Sequence, residues 1–245
     1  MNSCLIRSAF AATALIATSL PTLAADMPVK ARPSYVLPAY YNWSGLYVGI
    51  VGGWATGSSQ HISAIGNITD PFTLSGAMIG GTIGYNWQFA NWVLGVEGDW
   101  SWTNKKGTGP DIPPFALTAT SGTNEKWLAT IRGRIGYAFA GDWMVYGTGG
   151  LAVAAIEATV DFPGVNNVAE TKTRMGWTIG LGVEKALWGA WSVKAEYLYV
   201  KFNDAAYFEA PAPVGIATRS NVPVTDNLFR VGLNYKFSGP IMRRF

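Results

Sequence analysis

The residues with the most direct chemical potential are one histidine and the polar side chains near it in the sequence. His61 is the single histidine of the chain, and Ser58, Ser59 and Asp70 lie close to it. A serine nucleophile, a histidine base and an orienting acid are the groups of many acyl-transfer enzymes. No spacing here requires these groups to meet, so we expect His61 to be exposed to solvent. We therefore predict that the protein is not an enzyme, with acyl-group chemistry as a distant alternative.

Charged side chains within apolar segments form a second set. Most of them alternate with apolar residues, so on strands they would share one face. Because breaking a buried ion pair is destabilising by about 3–5 kcal/mol, charges that a closed sheet encloses should form a paired network. The predicted network consists of Glu97, Asp99, Arg132, Arg134, Arg174, Glu184, Lys194, Glu196, Arg230 and Lys236.

The order of the segments suggests partners within this network. Consecutive segments would lie side by side in an antiparallel sheet, which brings opposite charges of neighbouring segments together. The predicted pairs are Glu184 with Lys194, Glu97 and Asp99 with Arg132 and Arg134, and Glu196 with Arg230.

The segments that must position these charges have the period of β-strands. The last one, Asp226 to Phe237, has apolar or aromatic residues at every odd position from Phe229 onward and Arg, Gly, Asn or Lys at the even ones. This alternation occurs eight times, which predicts eight strands. They are Trp43–Trp54, Gly76–Phe89, Trp92–Trp102, Lys126–Phe139, Trp143 to about Ala155, Lys172–Leu187, Trp191–Phe202 and Asp226–Phe237.

The connections between these strands alternate strictly in length. Short turns are predicted at 90–91, 140–142 and 188–190, and long polar loops at about 55–75, 103–125, 156–171 and 203–225. This arrangement is typical of a transmembrane barrel with short periplasmic turns and long extracellular loops. We predict an all-β fold, an eight-stranded antiparallel transmembrane β-barrel, over residues 43–237.

The composition agrees with a surface that does not face water. Charged residues make up 13% of the 245 residues, against about 25% in soluble domains, and aromatic residues another 13%. The net charge of +3 is too small and too scattered for a nucleic-acid interface. We therefore predict no nucleic-acid partner.

The N-terminal region indicates export. Residues 1–24 have a basic start, a short apolar run and small residues before Ala25, which predicts a signal peptide. Residues 25–42 form a proline-rich periplasmic linker, and residues 238–245 a short C-terminal tail. The single cysteine, Cys4, lies in the signal peptide, so cysteine chemistry is excluded for the mature chain. We expect no metal and no cofactor.

Aromatic residues on the apolar faces indicate which side of the barrel meets lipid. They cluster near strand ends, as in the interfacial girdles of membrane barrels. A soluble, lipocalin-like barrel would instead need abundant charges outside. The polar faces carry Gly, Thr and few charges, which suits a narrow lumen that side chains fill, so we favour a plugged lumen over a gated narrow pore. The predicted girdle is Trp87, Trp92, Trp102, Trp127, Tyr137, Trp143, Trp191, Tyr235 and Phe237.

Several motifs together resemble a known family. They are the Ala25-Asp26 start after the signal peptide, the stretch Trp43 to Gly49, the run Gly176 to Glu184, Glu196 to Tyr199, and Phe229 to Phe237. These motifs are similar to those of the small alphaproteobacterial outer-membrane β-barrel proteins, the porin-family or OmpA/opacity-like proteins. The resemblance implies location in the outer membrane of a Gram-negative bacterium and a role in envelope integrity, with loops facing the environment or a host.

The resemblance also implies partners. Ala25 and Asp26 become candidates for attachment to peptidoglycan. The outward residues of the last strand, which end in an aromatic residue, become the signal for the barrel-assembly machinery, although the chain continues to a second terminal aromatic, Phe245. Other expected partners are outer-membrane lipid, lipopolysaccharide and host or environmental ligands at the loops. The predicted signal residues are Phe229, Val231, Leu233, Tyr235 and Phe237.

The function that we expect is therefore structural. The barrel would support envelope integrity, with peptidoglycan tethering as an additional role and surface-exposed loops. A narrow porin for small solutes is the alternative, and a lipid A-modifying enzyme that uses His61 is a distant one.

Overall fold

The computed structural model describes residues 41–63, 66–113, 119–161, 168–208 and 220–237. The predicted signal peptide, residues 25–40 of the predicted linker and the predicted tail lie outside these ranges, so the expectations for Ala25, Asp26 and Phe245 fall on residues that are not described.

Eight long strands make up the described barrel, as the alternating pattern predicted. They are β1 (Gly45–Ser59), β2 (Phe72–Phe89), β3 (Trp92–Thr103), β4 (Thr120–Phe139), β5 (Trp143–Asp161), β6 (Val168–Ala186), β7 (Trp191–Phe202) and β8 (Val224–Lys236). Each strand pairs antiparallel with its neighbours in the chain.

The sheet closes on itself through its first and last strands. Ile50 of β1 lies opposite Leu233 of β8 on one side and Gly81 of β2 on the other. The ring therefore has eight strands, and closure satisfies the backbone groups that an open edge would expose. The prediction of an eight-stranded antiparallel barrel is confirmed.

The outer surface of the barrel is apolar. Ile131 is 74% exposed and Leu181 66% exposed, and a continuous apolar surface of this kind is not compatible with water. Lipid is the environment that this surface fits. The described residues include no helix that is long and apolar enough to span a membrane.

The strands extend further than the sequence pattern indicated. The predicted third long loop, 156–171, is mostly strand, because β5 continues to Asp161 and β6 begins at Val168. Outward positions here carry polar residues such as Glu157 and Thr171, so the apolar alternation ends before the strand does. The alternation of apolar and polar residues extends only as far as the strand contacts lipid. The strand itself continues as far as its backbone hydrogen bonds with its neighbours do.

A β-bulge in β4 changes which positions face the interior. The register with β5 shifts between Glu125 and Trp127. Thr123 and Glu125 are buried before the shift, and Leu128 and Thr130 after it, so inward positions change from odd to even numbers. The predicted strand began at Lys126, so the inward residues that precede the bulge were wrongly assigned to a loop.

Four two-residue strands at the long-loop end form a separate small sheet, which we call the loop cap. In sheet order they are Ala206–Tyr207, Ser220–Asn221, Ile62–Ser63 and Gly66–Asn67. The cap therefore joins the loop after β1 to the loop after β7. A fifth short strand, Lys106–Pro110, pairs with β4. An isolated bridge links Thr69 to Asp111.

Candidate functional site

The centre of the lumen is filled by a network of ion pairs around Arg132 of β4. Its guanidinium lies 2.5 Å from a Glu97 carboxylate oxygen and 2.9 Å from Asp99, both on β3. The same group reaches Glu196 of β7, at 3.2 Å. The β3–β4 register places Glu97 beside Arg132, so strand pairing fixes the first of these contacts. Arg132 thus connects strands that are not neighbours.

Arg230 of β8 joins the same acids from the opposite wall. Its guanidinium is 2.7 Å from Asp99 and also forms an ion pair with Glu196, its register partner on β7. Thr130 adds a hydrogen bond to Asp99, at 2.5 Å. The two arginines therefore share the two carboxylates across the lumen.

Arg134 and Lys194 extend the network toward the short-turn end. Arg134 lies 2.8 Å from Glu184 and 3.8 Å from Glu97. Glu184 and Lys194 are register partners on β6 and β7, as the sequence suggested. The Lys194 ammonium, however, reaches across the lumen to Glu97, at 2.7 Å, while Glu184 also accepts a bond from Ser192, at 2.6 Å. Side-chain reach, and not strand adjacency, decides the partner.

Two tyrosines that are not among the predicted network residues complete the network. The Tyr47 hydroxyl donates to Glu97, at 2.7 Å, and accepts from Arg134, at 3.1 Å. The Tyr146 hydroxyl donates to Glu196, at 3.2 Å, and its ring lies 4.0 Å from the Arg134 guanidinium carbon. Both tyrosines alternate with the apolar residues of their strands and so lie on the lumen face. That position was the signal in the sequence that they could join the network.

The charges of this central network balance. Its acids are Glu97, Asp99, Glu184 and Glu196, and its bases are Arg132, Arg134, Lys194 and Arg230, each at most 7% exposed. Every one of these groups has an ion pair within the network. The lumen therefore has no excess charge at its centre that would attract a particular ion.

Two of the predicted network residues lie elsewhere. Arg174 donates to the backbone carbonyls of Val222, at 2.5 Å, and Asn203, at 3.1 Å, and so holds the ends of the fourth long loop. Lys236 donates to the Asn42 carbonyl and lies 4.2 Å from the centre of the Tyr41 ring. Both are at positions that alternate with the outward apolar residues, as predicted. They sit near opposite ends of the barrel, however, beyond reach of the central acids. Their assignment to the central network was wrong.

An apolar group seals the short-turn end of the lumen. Trp43 is almost fully buried there and packs with Met144, Tyr146 and Ala186. Its backbone N–H donates to the Gln88 side chain, at 2.7 Å. The predicted first strand begins at Trp43, but β1 begins at Gly45, and the Trp43 indole packs inside the lumen instead.

A larger apolar group fills the lumen at the long-loop end. A few apolar residues, such as Leu198 and Val200, fall on the predicted lumen face of their strand, and they were the signal for this group in the sequence. The predicted lumen lining of Gly, Thr and a few charges therefore does not extend to this end. The group consists of Ala55, Leu74, Met78, Leu128, Ala152, Ala154, Ile156, Ala158, Leu198, Val200, Phe202, Tyr207, Val222, Val224 and Leu228.

A second buried ion-pair cluster lies near the long-loop end. Lys105 is 2.8 Å from Glu125 and also pairs with Asp226, and all three side chains are enclosed. Lys105 and Glu125 fell in the predicted loop 103–125, where sequence periodicity gave no indication of burial. The cluster fastens the segment after β3 to β4 and β8.

His61 is buried, contrary to our expectation of a solvent-exposed side chain. Its Nε2 lies 3.2 Å from the Thr123 hydroxyl, which is 3.0 Å from the Ser59 hydroxyl. Of the residues considered with His61, Ser59 is buried beside the same threonine, whereas Ser58 and Asp70 are exposed. Among the described residues, no cluster of three or more His, Cys, Asp or Glu is placed to hold a metal ion.

The aromatic residues of the predicted girdle lie at the ends of the barrel strands. Seven are exposed, and Trp127 and Trp143 are partly exposed. The long-loop end has further members that the prediction omitted, including Trp54, Trp100, Trp177 and Tyr199. Trp100 and Trp102 pack edge to face there, with ring centres 4.1 Å apart. The exposed residues of the predicted girdle are Trp87, Trp92, Trp102, Tyr137, Trp191, Tyr235 and Phe237.

Comparison with known proteins identifies relatives along most of the chain. The 31 kDa outer-membrane immunogenic protein of Brucella melitensis biotype 1 is 32% identical over 248 residues, covering 91% of this chain and 96% of that protein. The 22 kDa outer membrane protein of Rhizobium leguminosarum bv. viciae is 29% identical, covering 75% of this chain and 72% of that protein. The solved structure of the outer membrane protein OprG from Pseudomonas aeruginosa aligns with 15% identity and a TM-score of 0.46, covering 80% of this chain and 98% of OprG.

The family comparison covers the barrel itself. The model of the outer membrane protein beta-barrel domain matches residues 10–237, a range that includes all eight strands. The closed ring, the apolar outer surface and the relatives described as outer-membrane proteins agree with this match. The chain therefore belongs to the outer-membrane β-barrel family and resides in the outer membrane of a Gram-negative bacterium.

Proposed function

We propose that this protein is a closed structural barrel that supports the integrity of the outer membrane and displays its loops at the cell surface. The observation that carries the proposal is the balanced ion-pair network at the centre of the lumen. A permeating ion would have to replace one partner of a buried pair, and breaking such a pair is destabilising by about 3–5 kcal/mol. The apolar groups around Trp43 and Leu228 add two further barriers.

We expect the refolded barrel to show no discrete conductance steps in a planar lipid bilayer. The physical reason is that ions would have to cross three side-chain layers without an open path. The heat-shifted gel mobility of the folded barrel would verify folding before each recording. A conducting porin added to the same bilayer would verify detection. Reproducible steps from the folded protein would favour the narrow-porin alternative over the closed barrel.

We further propose attachment to peptidoglycan through the N-terminal region. The supporting observation is the path of the chain at the short-turn end, which is the periplasmic end in this family. The Tyr41 N–H donates to the Gly141 carbonyl, at 2.8 Å, and the Asn42 carbonyl accepts from Lys236. Tyr41, the first described residue, thus lies at the short-turn end of the barrel. Ala25 and Asp26, which precede it in the sequence, are the candidate attachment residues.

This proposal predicts that a fraction of the protein stays with purified sacculi after boiling in detergent and is released by muramidase. A variant in which Ala25 and Asp26 are replaced, but the signal peptide is still cleaved, should lose that fraction. The same variant should keep its heat-shifted mobility, because the described barrel begins well after these residues. Complete extraction of the unmodified protein by hot detergent would exclude covalent attachment.

We propose that the outward residues of β8 present the signal for the barrel-assembly machinery. Phe229 and Val231 are among the most exposed apolar residues of the strand, and Tyr235 and Phe237 continue the same face at its end. An unpaired β8 would offer this face before closure against β1. Lipid and lipopolysaccharide are the expected partners of the same surface in the assembled barrel, and host or environmental ligands those of the loops.

A further inference from the structure

His61 occupies the connection between the barrel and the loop cap. Strand β1 ends at Ser59, and the first cap strand begins at Ile62. The His61 backbone closes this connection, because its carbonyl accepts from the Ile68 N–H, at 2.9 Å, and its N–H donates to the Thr69 hydroxyl, at 3.1 Å. A change at His61 would therefore act directly on the base of the cap.

The imidazole lies in a neutral environment. It is 1% exposed, and its ring centre is 6.0 Å from that of Phe72. Its polar contacts are the Thr123 hydroxyl, at 3.2 Å from Nε2, and the Gly122 backbone. Each of these contacts is compatible with a neutral imidazole that donates one hydrogen bond and accepts another.

The charged groups on the surrounding elements are engaged elsewhere. On the loop side, Asp70 is exposed, and Asp111 accepts from the Ser121 hydroxyl, at 2.8 Å. On the β4 side, Glu125 pairs with Lys105, at 2.8 Å, and on the β8 side Asp226 pairs with the same lysine. None of these acids has a contact with His61 among those of the described residues, so an imidazolium would lack a counter-charge.

Protonation of His61 therefore disfavours the closed state, in which the loop cap rests on the end of the barrel. Burial lowers the pKa of His61 to about 4, against a small opposing effect of the Gly122 backbone, whereas an exposed histidine has a pKa of about 6.5. The closed state retains its full stability above the exposed pKa and loses it as the pH falls from about 6.5 toward 4. At pH 4 the opening equilibrium would shift by about 100-fold.

We propose that the loop cap is an acid-released lid, which protonation of His61 detaches from the barrel rim. Tyr207 of the cap and the adjacent Val222 pack into the apolar group beneath it, so release would expose apolar surface that a partner could bind. The central ion-pair network lies deeper in the lumen and would stay closed. The lid is thus an activity of the loops that does not depend on whether the barrel conducts.

The test uses single cysteines, because the chain after the predicted signal peptide contains none. Val222→Cys reports the buried surface under the cap, and Asp70→Cys is an exposed reference that corrects for the pH dependence of thiol reactivity. The ratio of their labelling rates should rise by about 100-fold between pH 7.5 and pH 4. Combined with His61→Gln, which does not titrate, the rise should fall below about 2-fold. An unchanged ratio in the parent, or an equal rise in the His61→Gln background, would overturn the proposal.

A second measurement applies if His61→Gln does not fold. The chain has one histidine, so histidine labelled with ¹⁵N gives one imidazole signal, and its pKa can be followed in the unmodified barrel. We expect protonation below about pH 5, over the same range as the change in Val222→Cys labelling. A pKa above about 6, or protonation without any change in labelling, would contradict the lid.

Discussion

Replacing Arg132 by methionine should lower the free energy of unfolding of the barrel by about 3–5 kcal/mol. Methionine keeps an unbranched apolar chain up to the position of the arginine Nε, but the guanidinium that contacts Glu97, Asp99 and Glu196 is lost. Three carboxylates would then face one another in an enclosed lumen with fewer cations between them. Denaturant unfolding in lipid vesicles, followed by tryptophan fluorescence, measures the change. Gel mobility without heating reports the folded fraction.

Lys126→Met is the matched control for this substitution. Lys126 pairs with Glu157 at 2.7 Å, but its side chain is 47% exposed on the outside of the barrel. An ion pair that water screens contributes at most about 1 kcal/mol, so this variant should stay close to the parent. Adding Glu97→Gln to Arg132→Met should recover part of the loss, because it restores the balance of acids and bases in the network. Equal effects of Arg132→Met and Lys126→Met would mean that the central network does not stabilise the barrel.

The fold could be predicted because lipid and lumen make opposite demands on the two faces of each strand. All eight strands showed the required alternation, and short and long connections alternated as the topology demands. The pairing of Glu196 with Arg230 followed from that topology, since β7 and β8 are adjacent and the two residues are register partners. Local pattern was sufficient where the partner lies on the neighbouring strand.

Contacts across the lumen could not be predicted in this way. Lys194 binds Glu97 on β3 and not its register partner Glu184. The carboxylate of Glu184 accepts from Arg134 and Ser192 instead. Arg174 has the same parity as the network residues, but its height in the barrel brings it to the carbonyls of Val222 and Asn203. An odd or even position in a strand identifies the face on which a residue lies. Its position along the barrel axis and the length of its side chain decide which residues it contacts.

The two ends of the barrel were less predictable still. The bulge before Trp127 reverses the inward parity, which concealed Glu125 in a segment that was predicted to be loop. His61 belongs to an irregular connection, where neither a helical nor a strand period exists to indicate burial. Its enclosure depends on Thr123 of β4 and on the pairing of two loops that are distant in sequence.

Gly150→Ala should destabilise the barrel by about 1–3 kcal/mol, or prevent its closure, because of close backbone approach inside the lumen. A β-carbon at Gly150 would lie 2.7 Å from the Arg132 Cα and would overlap the Ile131 carbonyl oxygen. Both atoms belong to the backbone of β4, the register partner of this part of β5, so no side-chain rotation can relieve the overlap. The fraction with shifted gel mobility after refolding, and denaturant unfolding of that fraction, measure the effect.

Gly147→Ala supplies the control on the same strand. A β-carbon at Gly147 points to the lipid side, where the nearest atom is the Gly180 carbonyl oxygen at 4.0 Å, so the change in stability should stay within about 0.5 kcal/mol. The two substitutions add the same methyl group and alter helix and strand propensity equally. If both variants fold normally, the close approach of β5 to Arg132 does not limit closure of the barrel. If only Gly150→Ala fails to fold, the absence of a side chain at Gly150 is a condition for placing Arg132 among its three carboxylates.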